Sequence, residues 1–185
     1  RRFMQSPVPA AGKQAGGHAT RPGKEGMVMA STLKPGDPAP PFDLPTGGGG
    51  RVSLASLKGK RVIVYFYPKD DTPGCTTEAL NFTEKAKQFA AAGAAIVGIS
   101  RDSPKKHEKF AAKHGLAHIL ASDEDGAVCE RYGVWVEKSM YGRSYMGVER
   151  ATFLIDSKGR LAQVWRKVKV PGHVDEVLAA SKTQQ

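Results

Sequence analysis

The chain has 185 residues, a formal net charge of +10 and only two cysteines, Cys75 and Cys129. This length suits one domain with a sizeable hydrophobic core and a terminal tail. Because no apolar stretch approaches the roughly 18 residues that a membrane span needs, the sequence predicts a soluble protein without a membrane partner. Two widely spaced cysteines argue against a disulfide framework and against a Cys-x-x-Cys dithiol exchanger, and they favour a reducing compartment, which we take to be the cytoplasm.

Part of the positive charge lies in residues 1–30, which combine Gly, Ala, Pro and basic residues without apolar periodicity. This composition predicts a disordered basic N-terminal tail, and it leaves open whether the tail is a tag, a targeting segment or native. The remaining lysines and arginines are scattered among acidic residues, without the basic–aromatic alternation of a single-strand binder. They indicate solvated surface rather than a nucleic-acid partner.

The predicted domain begins with an extended, proline-rich entry over residues 33–44. Four glycines, 47–50, then form a hairpin connection; no Gly-Lys-Ser/Thr follows at the spacing of a phosphate-binding loop. The apolar run 62–67, rich in β-branched and aromatic residues, predicts a buried strand.

A polar, turn-forming segment follows this strand and runs directly into a predicted helix that ends at Gly93, with an apolar face of Phe82, Ala86, Phe89 and Ala90. Cys75 falls in the first turn of the helix, where unpaired backbone N–H groups and the helix dipole favour a thiolate. A lone cysteine is more often a small buried hydrophobe. The turn formers before Cys75 nevertheless indicate a reactive sulfur near solvent.

The rest of the chain alternates strands and helices. Residues 94–100 predict a second strand, joined to the first by a right-handed parallel crossover. Ser103 caps a helix that Gly115 ends. The later predicted elements are a short strand at 118–121, a helix from Asp123 to Tyr132, a β-hairpin of 151–156 and 161–165, and a last helix after Gly172. The sequence therefore predicts an α/β fold with a central mixed sheet.

Two segments of the chain resemble a known family. In Pro68-Lys69-Asp70-Asp71-Thr72-Pro73-Gly74-Cys75-Thr76-Thr77-Glu78, the residues Pro68, Thr72 and Cys75 match the active-site pattern of peroxiredoxins. Residues 133–135, 138–143 and 146–156 are similar to the later part of the Q-type, or bacterioferritin comigratory protein, group. The resemblance extends from about residue 33 to about residue 178.

The resemblance implies a thioredoxin-like peroxiredoxin domain over residues 31–185 and a thiol-dependent peroxidase. Its substrates would be hydrogen peroxide and organic hydroperoxides, and the reaction would form a sulfenic acid on Cys75. Thioredoxin or another external thiol would then reduce this intermediate. A monomer or weak homodimer is implied, with no cofactor. No metal is expected either, because no carboxylate or cysteine completes a ligand set with His107 and His114, which lie on one predicted helix.

Within the site, Arg150 is the candidate cation, because its fork can hold both sulfur and peroxide oxygen and it precedes a strand expected beside the one that leads to Cys75. Thr72 is close enough in sequence to hydrogen-bond the thiolate or the peroxide, and it could also be the helix N-cap. Pro68 would shape the loop and keep water out. Glu78 could be a capping-box partner, with a secondary role in the site network that the family implies.

Recycling of the oxidised cysteine is where the chain departs from the family pattern. Many Q-type members carry a second cysteine five residues after the first, where this chain has Leu80; others place it on the following helix, where this chain has Ala111 and Ala112. Cys129 is the remaining candidate, but a structural role suits it better, and a bond to Cys75 would need Cα atoms within ~7 Å or local unfolding. A one-cysteine cycle is therefore expected.

Two other functions stay open on the sequence alone. Cys75 oxidation could serve as a signal in a redox sensor or binding protein, which would recycle poorly. A nucleic-acid-associated protein would instead bind DNA in a salt-sensitive way that does not depend on Cys75.

Overall fold

The computed structural model describes residues 32–183; the predicted tail, 1–30, lies outside them. The strands are β1 (Asp43–Pro45), β2 (Arg51–Ser53), β3 (Arg61–Phe66), β4 (Ala94–Ser100), β5 (Ile119–Ser122), β6 (Trp135–Met140), β7 (Arg143–Val148), β8 (Ala151–Ile155) and β9 (Leu161–Trp165). The helices are α1 (Pro73–Glu84), α2 (Ala86–Ala91), α3 (Pro104–His114), α4 (Ala127–Arg131) and α5 (His173–Thr183).

The centre of the molecule is a five-stranded sheet in the order β5-β4-β3-β8-β9. Strands β3, β4 and β5 pair in parallel, whereas β8 pairs antiparallel to both β3 and β9. The predicted mixed sheet flanked by helices is therefore confirmed.

From Val62 onward, strand β3 is apolar because both of its faces are covered. Val62, Val64 and Phe66 belong to a hydrophobic cluster that includes α4, whereas Ile63 and Tyr65 belong to a second cluster that includes α1, α2 and α5. The sheet thus separates two hydrophobic cores, and the core to which a side chain belongs decides which other side chains it can contact.

The single long helix that the sequence predicted before Gly93 is wrong. The backbone leaves helical geometry at Lys85 (φ −94°, ψ 4°), so α1 and α2 are separate helices. The bend lets Phe82 and Phe89 both reach the core, with neither exposed, while Ala90 of the predicted apolar face is exposed.

The other predicted elements are present, although the helix predicted from Asp123 begins only at Ala127. The Ser103 side chain accepts a hydrogen bond from the Lys106 N–H at the start of α3, and Gly115 ends that helix in the left-handed conformation. Strands β1 and β2 form the hairpin around the glycine run, and β8 and β9 form the later hairpin. The hairpin of β6 and β7 was not predicted as strands.

Candidate active site

Cys75 is the third residue of α1, and a six-residue loop, 67–72, joins this helix to β3. Thr72 is extended (φ −92°, ψ 155°) and Pro73 takes the first helical position, which suits its fixed φ and missing N–H. The prediction of a sulfur near solvent is wrong, because Cys75 is only 2% exposed. Most of the turn formers are at least partly exposed, but the first turn of α1 directs Cys75 into the cluster of Tyr65 and Phe82.

Arg150 reaches Cys75 from the neighbouring strand. Ala151, the first residue of β8, pairs with Phe66, the last residue of β3, so the residue before β8 lies at the same end of the sheet as the loop. One guanidinium nitrogen, Nη2, donates to Cys75 Sγ at 3.2 Å, and the other, Nη1, donates to Glu78 Oε1 at 2.9 Å. A single planar fork therefore joins the sulfur to a carboxylate.

Glu78 is completely buried and does not act as a capping-box partner, because its carboxylate faces Arg150 rather than the helix end. Among the described residues, Oε2 has no hydrogen-bond partner. Burial raises the pKa of Glu78 to about 7, although the Arg150 charge and hydrogen bond act to lower it. Burial also acts to lower the pKa of Arg150, but Glu78 and Cys75 outweigh it, so that pKa is raised.

Among the described residues, the Thr72 hydroxyl makes no hydrogen bond to Cys75. Its Oγ1 donates to the backbone carbonyl of Lys69 at 2.9 Å. Thr72 occupies the N-cap position of α1, yet its side chain makes no capping hydrogen bond within the described part of the chain. Because the hydroxyl proton is engaged, the oxygen offers lone pairs to an incoming donor. Pro68 is exposed at the start of the same loop.

The two cysteines lie on opposite faces of the sheet. Cys129, in α4, belongs to the cluster of Val64 and Phe66, whereas Cys75 belongs to the cluster of Tyr65. Both are free thiols. Cys129 is fully buried, and burial raises its pKa well above the usual range, with a further rise from the hydrogen bond to Asp123. Leu80 is 40% exposed on α1, close in sequence to the active-site cysteine.

A further cation, Lys138, has a pKa that responds to Arg150 and Cys75. Lys138, on β6, lies across Gly147 of the partner strand, since a Cβ added there would be 3.1 Å from its Cδ. Burial lowers the pKa of Lys138, as does the charge of Arg150, while Cys75 and Glu149 oppose this effect. Lys138 occurs within the second family-like segment, and this was the only sequence signal for it.

Carboxylates also lie beside the two histidines of α3, and the sequence did not predict these contacts. His107 Nδ1 lies 2.6 Å from Asp70 Oδ2, and His114 Nε2 lies 2.9 Å from Asp71 Oδ1. Even so, residues 32–183 contain no group of three or more side chains placed to hold a metal ion. Nor does any helix in that range have the length and apolar character needed to cross a membrane.

A cysteine in the first turn of a helix, reached by an arginine fork and set on a thioredoxin-like sheet, defines a thiol-based redox enzyme. Residues 35–164 match the family model described as the AhpC/TSA family, and the chain belongs to that family.

Named relatives refine this class. The chain is 53% identical over 147 residues to the putative peroxiredoxin bcp of Coxiella burnetii (80% of this chain, 97% of that protein) and 48% identical over 151 residues to peroxiredoxin Bcp of Bacillus subtilis (82% and 96%). A solved structure of Xanthomonas campestris peroxiredoxin Q is similar, with a TM-score of 0.74 and 50% identity over 77% of this chain and 90% of that one.

A second solved structure, of the X. campestris bacterioferritin comigratory protein, concerns alkyl peroxide reduction by that protein and its trapped intermediate and ligand complexes. It has a TM-score of 0.73 and 50% identity, over 76% of this chain and 90% of that one. The predicted membership of the Q-type peroxiredoxin group, the thioredoxin-like fold and the peroxidase class are confirmed.

Proposed function

We propose that Cys75 is the peroxide-reacting residue of this thiol peroxidase, acting on hydrogen peroxide and organic hydroperoxides. The thiolate attacks one peroxide oxygen, the O–O bond breaks, and the departing oxygen takes a proton. The products are the Cys75 sulfenic acid and water or an alcohol. The observation that carries the proposal is the 3.2 Å contact between Arg150 Nη2 and Cys75 Sγ at the start of α1.

The surrounding residues have separate roles in this proposal. Arg150 stabilises the thiolate and the charge that develops on the leaving oxygen, and Glu78 fixes the guanidinium by accepting from its other nitrogen at 2.9 Å. Thr72 Oγ1, whose proton is engaged by Lys69, accepts a hydrogen bond from the peroxide O–H. Pro68 shapes the loop and limits the access of water.

For recycling, we propose a one-cysteine cycle. Two external thiols reduce the sulfenic acid, giving the Cys75 thiol, one disulfide and water; thioredoxin or a small thiol would serve. The position of Cys129 in the opposite core supports this cycle, since a direct bond would require the two Cα atoms to approach within ~7 Å.

The setting of the enzyme is also part of the proposal. Two free cysteines suit a reducing compartment, which we take to be the cytoplasm. We propose one peroxiredoxin domain over residues 31–185 that is a monomer or weak homodimer. Sedimentation at two protein concentrations tests the oligomeric state, and a stable dimer at both would contradict it.

The central test is intact mass after one equivalent of hydrogen peroxide with dimedone present, on wild type, Cys75→Ser and Cys129→Ser. We expect a dimedone adduct on wild type and on Cys129→Ser that disappears in Cys75→Ser. A loss of two hydrogens without an adduct would make Cys129 a resolving cysteine, and an unmodified Cys75 would refute the assignment of its role. Repeated turnover with dithiothreitol distinguishes a peroxidase from a sensor that is oxidised once.

A further inference from the structure

Asp70, within the active-site loop, is buried and engaged on two sides. Its Oδ1 accepts a hydrogen bond from the Tyr67 hydroxyl at 2.6 Å, and its Oδ2 lies 2.6 Å from His107 Nδ1. Asp70 is 8% exposed and His107 only 1%. A carboxylate so far from water is stable only where such partners satisfy it.

His107 links this carboxylate to strand β5. Its other ring nitrogen, Nε2, lies 3.0 Å from the Ala121 carbonyl, which can only accept, so Nε2 carries a proton. The remaining ring nitrogen, Nδ1, is the one that faces the Asp70 carboxylate. His107 therefore joins the loop to the end of β5 through the second turn of α3, far along the sequence from the loop itself.

The backbone of Asp70 is held too. Its N–H donates to Asp102 Oδ2 at 2.8 Å, and the Ser100 hydroxyl donates to the same oxygen at 2.7 Å. The residue before Asp70, Lys69, provides the carbonyl to which Thr72 donates. Fixing Asp70 thus fixes the loop that carries Thr72 and leads into the first turn of α1.

We propose that Asp70 is a positioning residue, held by Tyr67 and His107, that keeps the loop in the conformation in which Cys75 meets Arg150. This inference rests on the proposed role of Cys75. The network acts on the two halves of the cycle in different ways. Oxidation depends on the alignment of Cys75 with Arg150, whereas reduction depends on the access of a thiol to a cysteine that is 2% exposed.

The test compares both half-reactions in Asp70→Asn, His107→Gln and Tyr67→Phe. The matched control is Asp71→Asn, because the Asp71 carboxylate is also paired with α3, through Lys113 at 2.8 Å and His114 at 2.9 Å, but is exposed. Oxidation by hydrogen peroxide is followed by rapid quenching with dimedone and mass spectrometry. Reduction of the pre-oxidised protein is followed with dithiothreitol.

We expect Asp70→Asn and His107→Gln to slow oxidation by about 10²-fold, the cost of misplacing a reacting group by about 1 Å, without slowing reduction. Tyr67→Phe removes one hydrogen bond to a charged group and should slow oxidation by roughly 10-fold. The control should stay within about 2-fold of wild type, as exposed ion pairs contribute little.

Several results would overturn the inference. Oxidation of Asp70→Asn at the wild-type rate would do so. Equal slowing of both half-reactions would also do so, because a general loss of structure produces that result. If Asp70→Asn does not fold, Tyr67→Phe decides, and equal effects on oxidation and reduction refute the inference. If Cys75 of the wild-type protein is not oxidised, the proposed function and this inference both fail. If wild-type Cys75 is oxidised and the variants are oxidised at the same rate, only the inference fails.

Discussion

Replacing Glu78 with glutamine should change how the stability of the protein depends on pH. The substitution keeps the size of a fully buried side chain and removes the group whose pKa burial raises from 4.5 to about 7. It is best made in a Cys75→Ser background, which removes the neighbouring thiol.

The sign and size of the effect follow from proton binding. Below pH 4.5 the folded and unfolded chains both hold the proton on Glu78. Between pH 4.5 and about 7 the unfolded chain releases it and the folded protein retains it, so the free energy of unfolding falls as pH rises. Two and a half pH units, at 1.36 kcal/mol each, correspond to about 3 kcal/mol. Above that range the contribution is constant.

Urea unfolding from about pH 5 to about pH 8, followed by circular dichroism, measures this contribution. The free energy of unfolding of the Cys75→Ser protein, minus that of the same protein with Glu78→Gln, should decrease over this range. Glu84→Gln, at an exposed position of the same helix, controls for the removal of one carboxyl group. A difference that stays constant or rises with pH would refute the reasoning, because Arg150 rather than burial would then control Glu78.

Three further substitutions test other parts of the structure. Arg150→Lys replaces the guanidinium group that contacts both Cys75 and Glu78. The second-order rate constant with hydrogen peroxide should therefore fall by about 10²-fold, and an unchanged rate would contradict the proposed role. Gly98→Ala places a methyl group 2.7 Å from the Tyr65 ring and should lower the free energy of unfolding by about 1–3 kcal/mol; an unchanged thermal midpoint would argue against this packing. Cys129→Ala should leave peroxide turnover with dithiothreitol intact, and loss of turnover would place Cys129 in the cycle.

Local sequence signals predicted much of the fold. Strand β3 was evident as a continuous apolar run, and α3 was marked by Ser103 at its start and Gly115 at its end. The β6–β7 hairpin was missed because its side chains are largely exposed and carry no apolar alternation. The bend at Lys85 was missed because the apolar spacing around it also fits one continuous helix.

The sequence singled out Cys75, Arg150 and Glu78, which the structure brings together, but it did not predict how they are arranged. Turn formers around Cys75 indicated a loop, but they could not show which way the first turn of α1 faces. The pairing of Asp70 with His107 joins residues 37 positions apart and depends on how α3 packs on the sheet. Similarly, the contact of Glu78 with Arg150 arises only once β8 lies beside β3.

The placement of the cysteines in separate cores also has a kinetic consequence. In the proposed one-cysteine cycle, the second cysteine lies on the other face of the sheet, so the lifetime of the oxidised sulfur would depend on the concentration of thiol in its surroundings. When peroxide is abundant and thiol scarce, a second peroxide can reach the sulfenic acid first and convert it to sulfinic acid, which thiols do not reverse. The cellular thiol supply would then decide how many cycles each molecule completes before it is permanently inactivated.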